Sequence, residues 1–210
     1  MAVRPLLTTL ALVLALPAQA QLLDGASRLK AWDQVKALKA QSPFKDLKWQ
    51  WLGPTNISGR ATDVAVVTPR GKSYTIYVGT ASSGLWKTDN EGTTWTCVFD
   101  QEAATTIGDL ALAPSNPDIL WVGTGESNIF RSSQAGSGVY LSRDAGKTWT
   151  HRGLADTHTI ARVLVHPKDP DVVYVAASGH EWTPNPERGV YRTKDGGLTC
   201  MGKLRACLRF

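Results

Sequence analysis

The chain has 210 residues, of which 42% are hydrophobic and 20% are charged, and its formal net charge is +5. Four cations (Arg4, Lys203, Arg205 and Arg209) lie in end segments that contain no acid, so the rest of the chain carries only about +1. This balance excludes the electrostatic footprint of a nucleic-acid-binding protein, and no phosphate-cradling glycine motif is present.

Residues 1–20 have the layout of a secretory signal peptide. Arg4 gives a positive start, Leu6–Leu16 is an apolar run, and Ala18-Gln19-Ala20 is a small-x-small cleavage site. The run is too short to span a bilayer, although an uncleaved anchor remains the alternative. We therefore predict an exported protein, periplasmic or extracellular, with no membrane span after cleavage.

Residues 21–44 are predicted to form a helical leader. Apolar residues recur at spacings of three and four, with lysine and aspartate on the other face. The stripe consists of Leu22, Ala26, Leu29, Trp32, Val35 and Leu38. Two interpretations stay open: a helix that binds a partner, or a leader that packs on the domain or frays.

From about residue 57 the pattern changes to alternating apolar residues in short runs, and three copies of one unit align. The first runs are Ala61–Val67, Ile107–Ala113 and Ile160–His166, and the second runs are Thr75–Ala81, Ile119–Gly125 and Val172–Ser178. The third runs open at Gly84, Gly138 and Gly189, and the fourth are Trp95–Asp100 and Trp149–Leu154. Four short strands in about fifty residues are typical of one β-propeller blade.

The turn between the third and fourth strands follows an octet pattern, S/T-x-D-x-G-x-T-W. In it Asp or Asn accepts backbone hydrogen bonds, Gly supplies a positive φ, and Trp covers the hairpin. Because the same residues recur in every copy, we predict a structural role rather than catalysis or calcium binding. The positions are Thr88, Asn90, Gly92 and Trp95; Ser142, Asp144, Gly146 and Trp149; and Thr193, Asp195 and Gly197.

These octets resemble the Asp-boxes (bacterial neuraminidase repeats) of sialidases and sortilins. Further segments resemble large exported bacterial proteins with a sortilin N-terminal-type propeller, some of them loosely labelled glycosyl hydrolases. These segments are Ser58-Gly59-Arg60, Val78-Gly79-Thr80, Gly84–Thr88, Val122–Glu126, His166-Pro167 and Glu187–Tyr191. The repeats and the resemblance together predict an all-β fold, an incomplete β-propeller of about three four-stranded blades with Asp-box hairpins, and the helical pattern predicts a short N-terminal helix before it. The predicted propeller covers residues 45–199, with blades at about 57–104, 105–157 and 158–199.

The third copy breaks in mid-motif, where Cys200 replaces the expected Trp. Residues 200–210 show no alternation, so we predict an aberrant tail, no fourth strand in the third blade, and a truncated fragment of a larger propeller. Open blade edges would then favour self-association. Cys97, Cys200 and Cys207 are too few for a disulfide framework, and no histidine has zinc-ligand spacing to them, so we expect no metal and no cofactor.

A binding site is expected on one face only. The loops between the second and third strands, together with the blade-to-blade connections, form what we call the loop-rich face, and its longest loops are Glu126–Ser137 and Gly179–Arg188. Any single residue there also has an ordinary structural explanation, such as a surface ion pair or a contact within its own loop. The candidate residues are Arg60, Glu126, Arg131, His158, His180, Glu181, Glu187 and Arg188, with Asp156 nearby.

Three functions stay open. The favoured one is a non-catalytic scaffold that binds a protein, a peptide or a carbohydrate; the alternatives are a glycoside hydrolase, related to xyloglucanases or sialidases, and an assembly factor. Glycosidases need a pair of positioned carboxylates or, for sialic acid, a Tyr/Glu nucleophile with an arginine cluster. The resemblance to xyloglucanases implies a catalytic Asp after the second strand of the first blade, where this chain has Ala81, and the Arg-Ile-Pro motif of sialidases is absent. We therefore assign no catalytic residue.

Overall fold

The computed structural model describes residues 24–47, 59–67, 73–128 and 133–199, and the backbone of Gly202–Leu204. One helix, α1 (Gly25–Gln41), precedes three four-stranded antiparallel sheets whose strands follow chain order. The first sheet has β1 (Ala61–Val67), β2 (Thr75–Thr80), β3 (Leu85–Thr88) and β4 (Thr96–Cys97); the second has β5 (Ile107–Ala113), β6 (Asn116–Thr124), β7 (Val139–Ser142) and β8 (Thr150–His151). The third has β9 (Ile160–Val165), β10 (Val173–Ala177), β11 (Gly189–Thr193) and β12 (Gly202–Leu204). The predicted all-β fold of three four-stranded blades after a helix is confirmed.

Two apolar cores join the three blades, because each strand exposes alternate side chains on opposite faces of its sheet. In the core between the first and second blades, Tyr77 and Phe99 meet Ile107, Leu120 and Tyr140. The Phe99 and Tyr140 rings meet edge to face with centroids 5.1 Å apart. The apolar residues of one blade are therefore buried only when the next blade is present.

The second and third blades pack in the same way. Trp121 and Leu141 of the second blade meet Ile160, Val163 and Val175 of the third. Gly123 lies where the two blades pack closely, because an added Cβ would stand 2.4 Å from a methyl carbon of Ile160. Gly123 does not have a positive φ, so no turn requires a glycine here. The absence of a side chain instead leaves the space into which the neighbouring blade packs.

A repeated polar contact joins the innermost strands β1, β5 and β9. β1 and β5 each carry an irregularity just before an aspartate, which turns that side chain toward the next blade. Asp63 Oδ2 accepts a hydrogen bond from the backbone N–H of Leu110 at 3.0 Å, and Asp109 Oδ2 accepts one from Val163 at 2.7 Å. In the third blade the equivalent residue is Arg162, whose Nη1 lies 3.1 Å from Asp109 Oδ1.

The prediction that the third blade has no fourth strand is wrong. β12 pairs with Val190, Tyr191 and Arg192 of β11. Pairing along a strand edge uses backbone N–H and C=O groups, so three residues can add to β11 without the alternation that the prediction required. β6 also begins earlier than predicted, because Asn116 pairs with Ala113 across a two-residue turn.

None of the described residues of the predicted apolar stripe of α1 is fully buried, and Leu22 lies outside the described residues. Asp24 begins the helix, since its Oδ1 accepts a hydrogen bond from the N–H of Ser27 at 2.6 Å. Val35 and Leu38 are exposed, and Gly25 is the one helix residue that is fully buried. The helix is therefore attached by its first turns rather than by an apolar face. Among the described residues, no helix is long and apolar enough to cross a membrane.

Candidate functional site

The octet turn of the second blade surrounds its own carboxylate with donors. Asp144 Oδ1 accepts from the N–H of Thr148 at 2.9 Å, and Oδ2 accepts from its hydroxyl at 2.6 Å. Ser142 Oγ donates to Asp144 Oδ1 at 2.8 Å and accepts from the N–H of Gly146, whose φ is 86°. Burial by itself raises the pKa of Asp144, but the hydrogen bonds from Thr148 and Ser142 outweigh it and lower the pKa to about 2.

The other two octet turns repeat this arrangement. Asn90 Oδ1 accepts from the N–H of Thr94 at 2.9 Å, and Asp195 Oδ2 accepts from the N–H of Thr199 at 3.1 Å. A threonine hydroxyl takes the place of Ser142, and the turn glycine has a positive φ in both; these residues are Thr88 and Gly92, and Thr193 and Gly197. Each carboxylate or amide is used within its own turn, which is the geometry of a structural role.

The two octet tryptophans differ in their surroundings. Trp149 is half-buried against the preceding blade: its Nε1 donates to the carbonyl of Val98 at 2.7 Å, and its ring meets Phe99 edge to face at 5.0 Å. Trp95, in the first blade, is 41% exposed. An octet tryptophan is thus buried by the blade before it.

The loop-rich face is partly covered by the first turns of α1. The N–H of Gly25 donates to Asp156 Oδ1, and Arg28 donates to the carbonyls of Gly136 and Ala155, both at 2.8 Å. Trp32 Nε1 donates to the carbonyl of Gln101 at 3.2 Å. These bonds place charged residues of the helix beside the loops of the second and third blades.

Arg60 and Glu126 form an ion pair between the first and second blades. Arg60 donates from both Nε (3.0 Å) and Nη2 to the two carboxylate oxygens of Glu126, a bidentate geometry. These hydrogen bonds raise the pKa of Arg60. Glu126 is 1% exposed, and its N–H donates to Thr106 Oγ1. Both residues therefore serve the contact between blades.

Arg188 stabilises the loop in which it lies. Its Nε and Nη2 donate to the carbonyls of Ser178 and His180, both at 2.8 Å, and its N–H donates to Asn185 Oδ1 at 3.1 Å. The loop begins at Gly179 with a φ of 73°, where an added Cβ would meet Asn185 Oδ1 at 2.2 Å. The 179–188 loop thus has a shape defined by its own hydrogen bonds.

His158 and His180 stack face to face beside a cavity. Their ring centroids are 3.7 Å apart and their planes differ by 11°. Burial, followed by the charges of His180 and Arg28, lowers the pKa of His158 and so favours its neutral ring. The cavity has a volume of about 570 Å³, and its charged or titratable lining residues are Asp24, Arg28, Asp156, His158, His180 and Glu187.

A second, smaller concavity adjoins the first. Its volume is about 180 Å³, and it shares Ala135 and His158 with the larger one. Glu181 and Trp182 form part of its wall. Trp182 is 77% exposed, and Glu181 has one carboxylate oxygen, Oε1, that is buried and has no hydrogen-bond partner. In the part of the chain that the structure describes, no three His, Cys, Asp or Glu side chains are placed to hold a metal ion.

The predicted site residues therefore separate into two groups. His158, His180, Glu181 and Glu187 line the two concavities. Arg60, Glu126 and Arg188 are used in structural contacts, and Arg131 lies outside the described residues.

Sequence reasoning missed Asp24, Arg28 and Trp182. Trp182 had a signal, since it is a large aromatic residue inside a polar loop. Asp24 and Arg28 had no such signal, because the spacing of apolar residues predicts a helix but not which loop that helix contacts.

No protein-family model and no curated protein matches the chain. Among solved structures it is similar to an ancestral GH74 enzyme (25% identity, TM-score 0.49, 66% of this chain and 18% of that one). It is also similar to a GH74 enzyme of Niastella koreensis (24%, 0.41, 56% and 18%) and to the GH74 xyloglucanase of Xanthomonas campestris (16%, 0.33, 63% and 28%). The chain thus spans between 18% and 28% of the length of these three proteins.

Proposed function

We propose that this chain is an exported, non-catalytic binding scaffold that takes a ligand on its loop-rich face, in the cavity beside His158 and His180. The observation that carries the proposal is the convergence there of three separate segments: the start of α1, the connection between the second and third blades, and the 179–188 loop. A cavity of about 570 Å³ has the size of a small-ligand site.

The contacts of the nearby carboxylates support binding rather than catalysis. Glu126 is buried in its ion pair with Arg60, Asp24 caps α1, and Asp156 accepts from the N–H of Gly25. Ala81 is buried, and its N–H donates to the carbonyl of Arg60. An acid or base needs a carboxylate that can exchange a proton with the substrate, and these three groups are occupied. Glu181 and Glu187 line the concavities and are the two carboxylates that the turnover test must examine.

The octet turns support kinship with Asp-box propellers. In all three copies the acidic or amide side chain, the hydroxyl and the glycine make the same set of bonds within the turn. The proposal therefore assigns the octet face to stability and the loop-rich face to ligand.

Bulky substitutions on the two faces test the proposal. Ala135 lines both concavities, so Ala135→Trp is expected to abolish binding of any probe that wild type takes from a panel of neutral hexasaccharides and hexapeptides. Lys147→Trp adds a large residue on an exposed position of the octet face and is the matched control. Equal binding by both variants would reject the site.

Turnover is the test of the glycoside hydrolase alternative. Wild type incubated with xyloglucan and with sialosides should release no product. Product release that Glu181→Ala or Glu187→Ala abolishes would reject the non-catalytic proposal.

A further inference from the structure

The smaller concavity contains an exposed aromatic platform. Trp182 is 77% exposed although it lies in a loop whose backbone is ordered by its own hydrogen bonds. Leaving an indole in water forgoes the free energy of burying a large apolar surface. An exposed indole on a rigid loop beside a concavity is therefore suited to pack against a ligand.

Glu181, the neighbour of Trp182, supplies an unused acceptor. Its Oε1 is buried and accepts no hydrogen bond, which costs free energy because the oxygen has lost water without gaining a donor. Glu181 lines the smaller concavity, so a rotation of its side chain toward that space would let a ligand hydroxyl or N–H donate to this oxygen and remove the cost. The other polar residues of the wall include Gln134 and Thr159, so donors and acceptors surround the indole.

The loop presents both groups in a fixed shape. Arg188 bonds to the carbonyls of Ser178 and His180, while Asn185 Nδ2 donates to the carbonyl of Thr183 at 3.0 Å. The loop therefore has little conformational entropy to lose when a ligand arrives, which favours affinity.

We infer that the loop-rich face binds a carbohydrate chain, with Trp182 stacking on one sugar ring and Glu181 accepting from a ring hydroxyl. A pyranose has an apolar C–H face and a rim of hydroxyls, which matches an indole bordered by hydrogen-bonding side chains. The two concavities share Ala135 and His158, so one elongated ligand can occupy both, and this favours an oligosaccharide over a single sugar. The inference rests on the proposed function, because it names the ligand class of that same site.

Isothermal titration of the full chain with cellohexaose, xylohexaose and chitohexaose, and separately with a pool of hexapeptides, tests this inference. At least one hexasaccharide should bind and should shift the tryptophan fluorescence of wild type but not that of Trp182→Ala. Trp182→Ala should weaken that binding tenfold or more, as expected for loss of a central aromatic anchor. Glu181→Gln should weaken it severalfold, because a carboxylate accepts stronger hydrogen bonds than an amide.

Trp95→Ala is the matched control, since Trp95 is an exposed tryptophan on the opposite face. It should bind within twofold of wild type. Hexasaccharide binding that survives Trp182→Ala overturns the inference. Binding of peptides without saccharides also overturns it but leaves the binding scaffold in place, and binding of neither rejects both.

Discussion

Replacing Asp109 with asparagine should remove a pH dependence from the stability of the protein. Asp109 is a buried carboxyl that accepts from the N–H of Val163 and from Arg162, and it lies beside the carboxyl of Asp63. Burial is the largest cause that raises its pKa, the bond from Val163 opposes it, and Asp63 raises the pKa further, to about 6 from 3.8. Asparagine keeps an oxygen for Val163 but cannot ionise.

The sign of the effect follows from the raised pKa. The folded protein holds this proton more tightly than the unfolded chain does, so stability is fully present below about pH 4 and falls as the pH rises toward 6. A difference of roughly two pKa units corresponds to about 3 kcal/mol at most. The lost ion pair with Arg162 contributes less than about 1 kcal/mol, because that side chain is 61% exposed.

Urea unfolding followed by tryptophan fluorescence at pH 4, 5, 6 and 7 measures the effect. Wild type should lose about 2–3 kcal/mol of unfolding free energy relative to Asp109→Asn between pH 4 and pH 7, by linkage. Asp144→Asn is the control: the lowered pKa of Asp144 gives stability that is lost only as the pH falls from about 4 toward 2, so this variant should parallel wild type between pH 4 and pH 7. Equal slopes for wild type and Asp109→Asn between pH 4 and 6 would refute the reasoning.

Three further predictions concern packing. Trp149→Ala should cost about 2–4 kcal/mol in urea unfolding and Trp95→Ala less than about 1, because only Trp149 contacts the preceding blade; equal costs would contradict this. Gly123→Ala should cost at least about 1 kcal/mol, since its Cβ would overlap Ile160, and the double variant with Ile160→Ala should cost less than the sum of the two single variants. Leu164 is exposed on the third blade, and we expect this chain expressed alone to self-associate in analytical ultracentrifugation, with Leu164→Glu shifting it toward monomer; a monomeric wild type would count against this.

The repeated part of the fold could be predicted from the sequence because the three copies can be aligned, and a strand predicted in one copy is supported by the same pattern in the others. β1 and β5 begin and end at the predicted residues, since the alternation that defines a strand also defines its buried face. β12 was missed because it has no alternating apolar pattern of its own. It is stabilised by backbone pairing with the edge of β11. Edge pairing depends on the neighbour that offers the hydrogen bonds.

The candidate site could be predicted only in part. Loop length and chemistry indicated His158, His180, Glu181 and Glu187, because polar residues in long loops have no packing role to explain them. The same criterion also selected Glu126, which is buried in its pair with Arg60. The sequence shows which residues are charged but not which residues they contact. A glutamate that faces a cavity and a glutamate buried in an ion pair therefore look the same until the structure shows the partner.

The same comparison between copies explains why the cavity lies where it does. Residues at equivalent positions of successive blades, such as Asp63 and Asp109, bond one blade to the next. Their hydrogen-bonding groups are therefore occupied and do not contact a ligand. The loop after β6 carries Glu126, which pairs with Arg60 of the first blade, whereas the loop after β10 bonds mainly to itself. Trp182 therefore lies in a loop whose shape depends on its own hydrogen bonds more than on contacts with a neighbouring blade. A substitution there should alter binding without altering stability, while substitution of a repeated position should do the reverse.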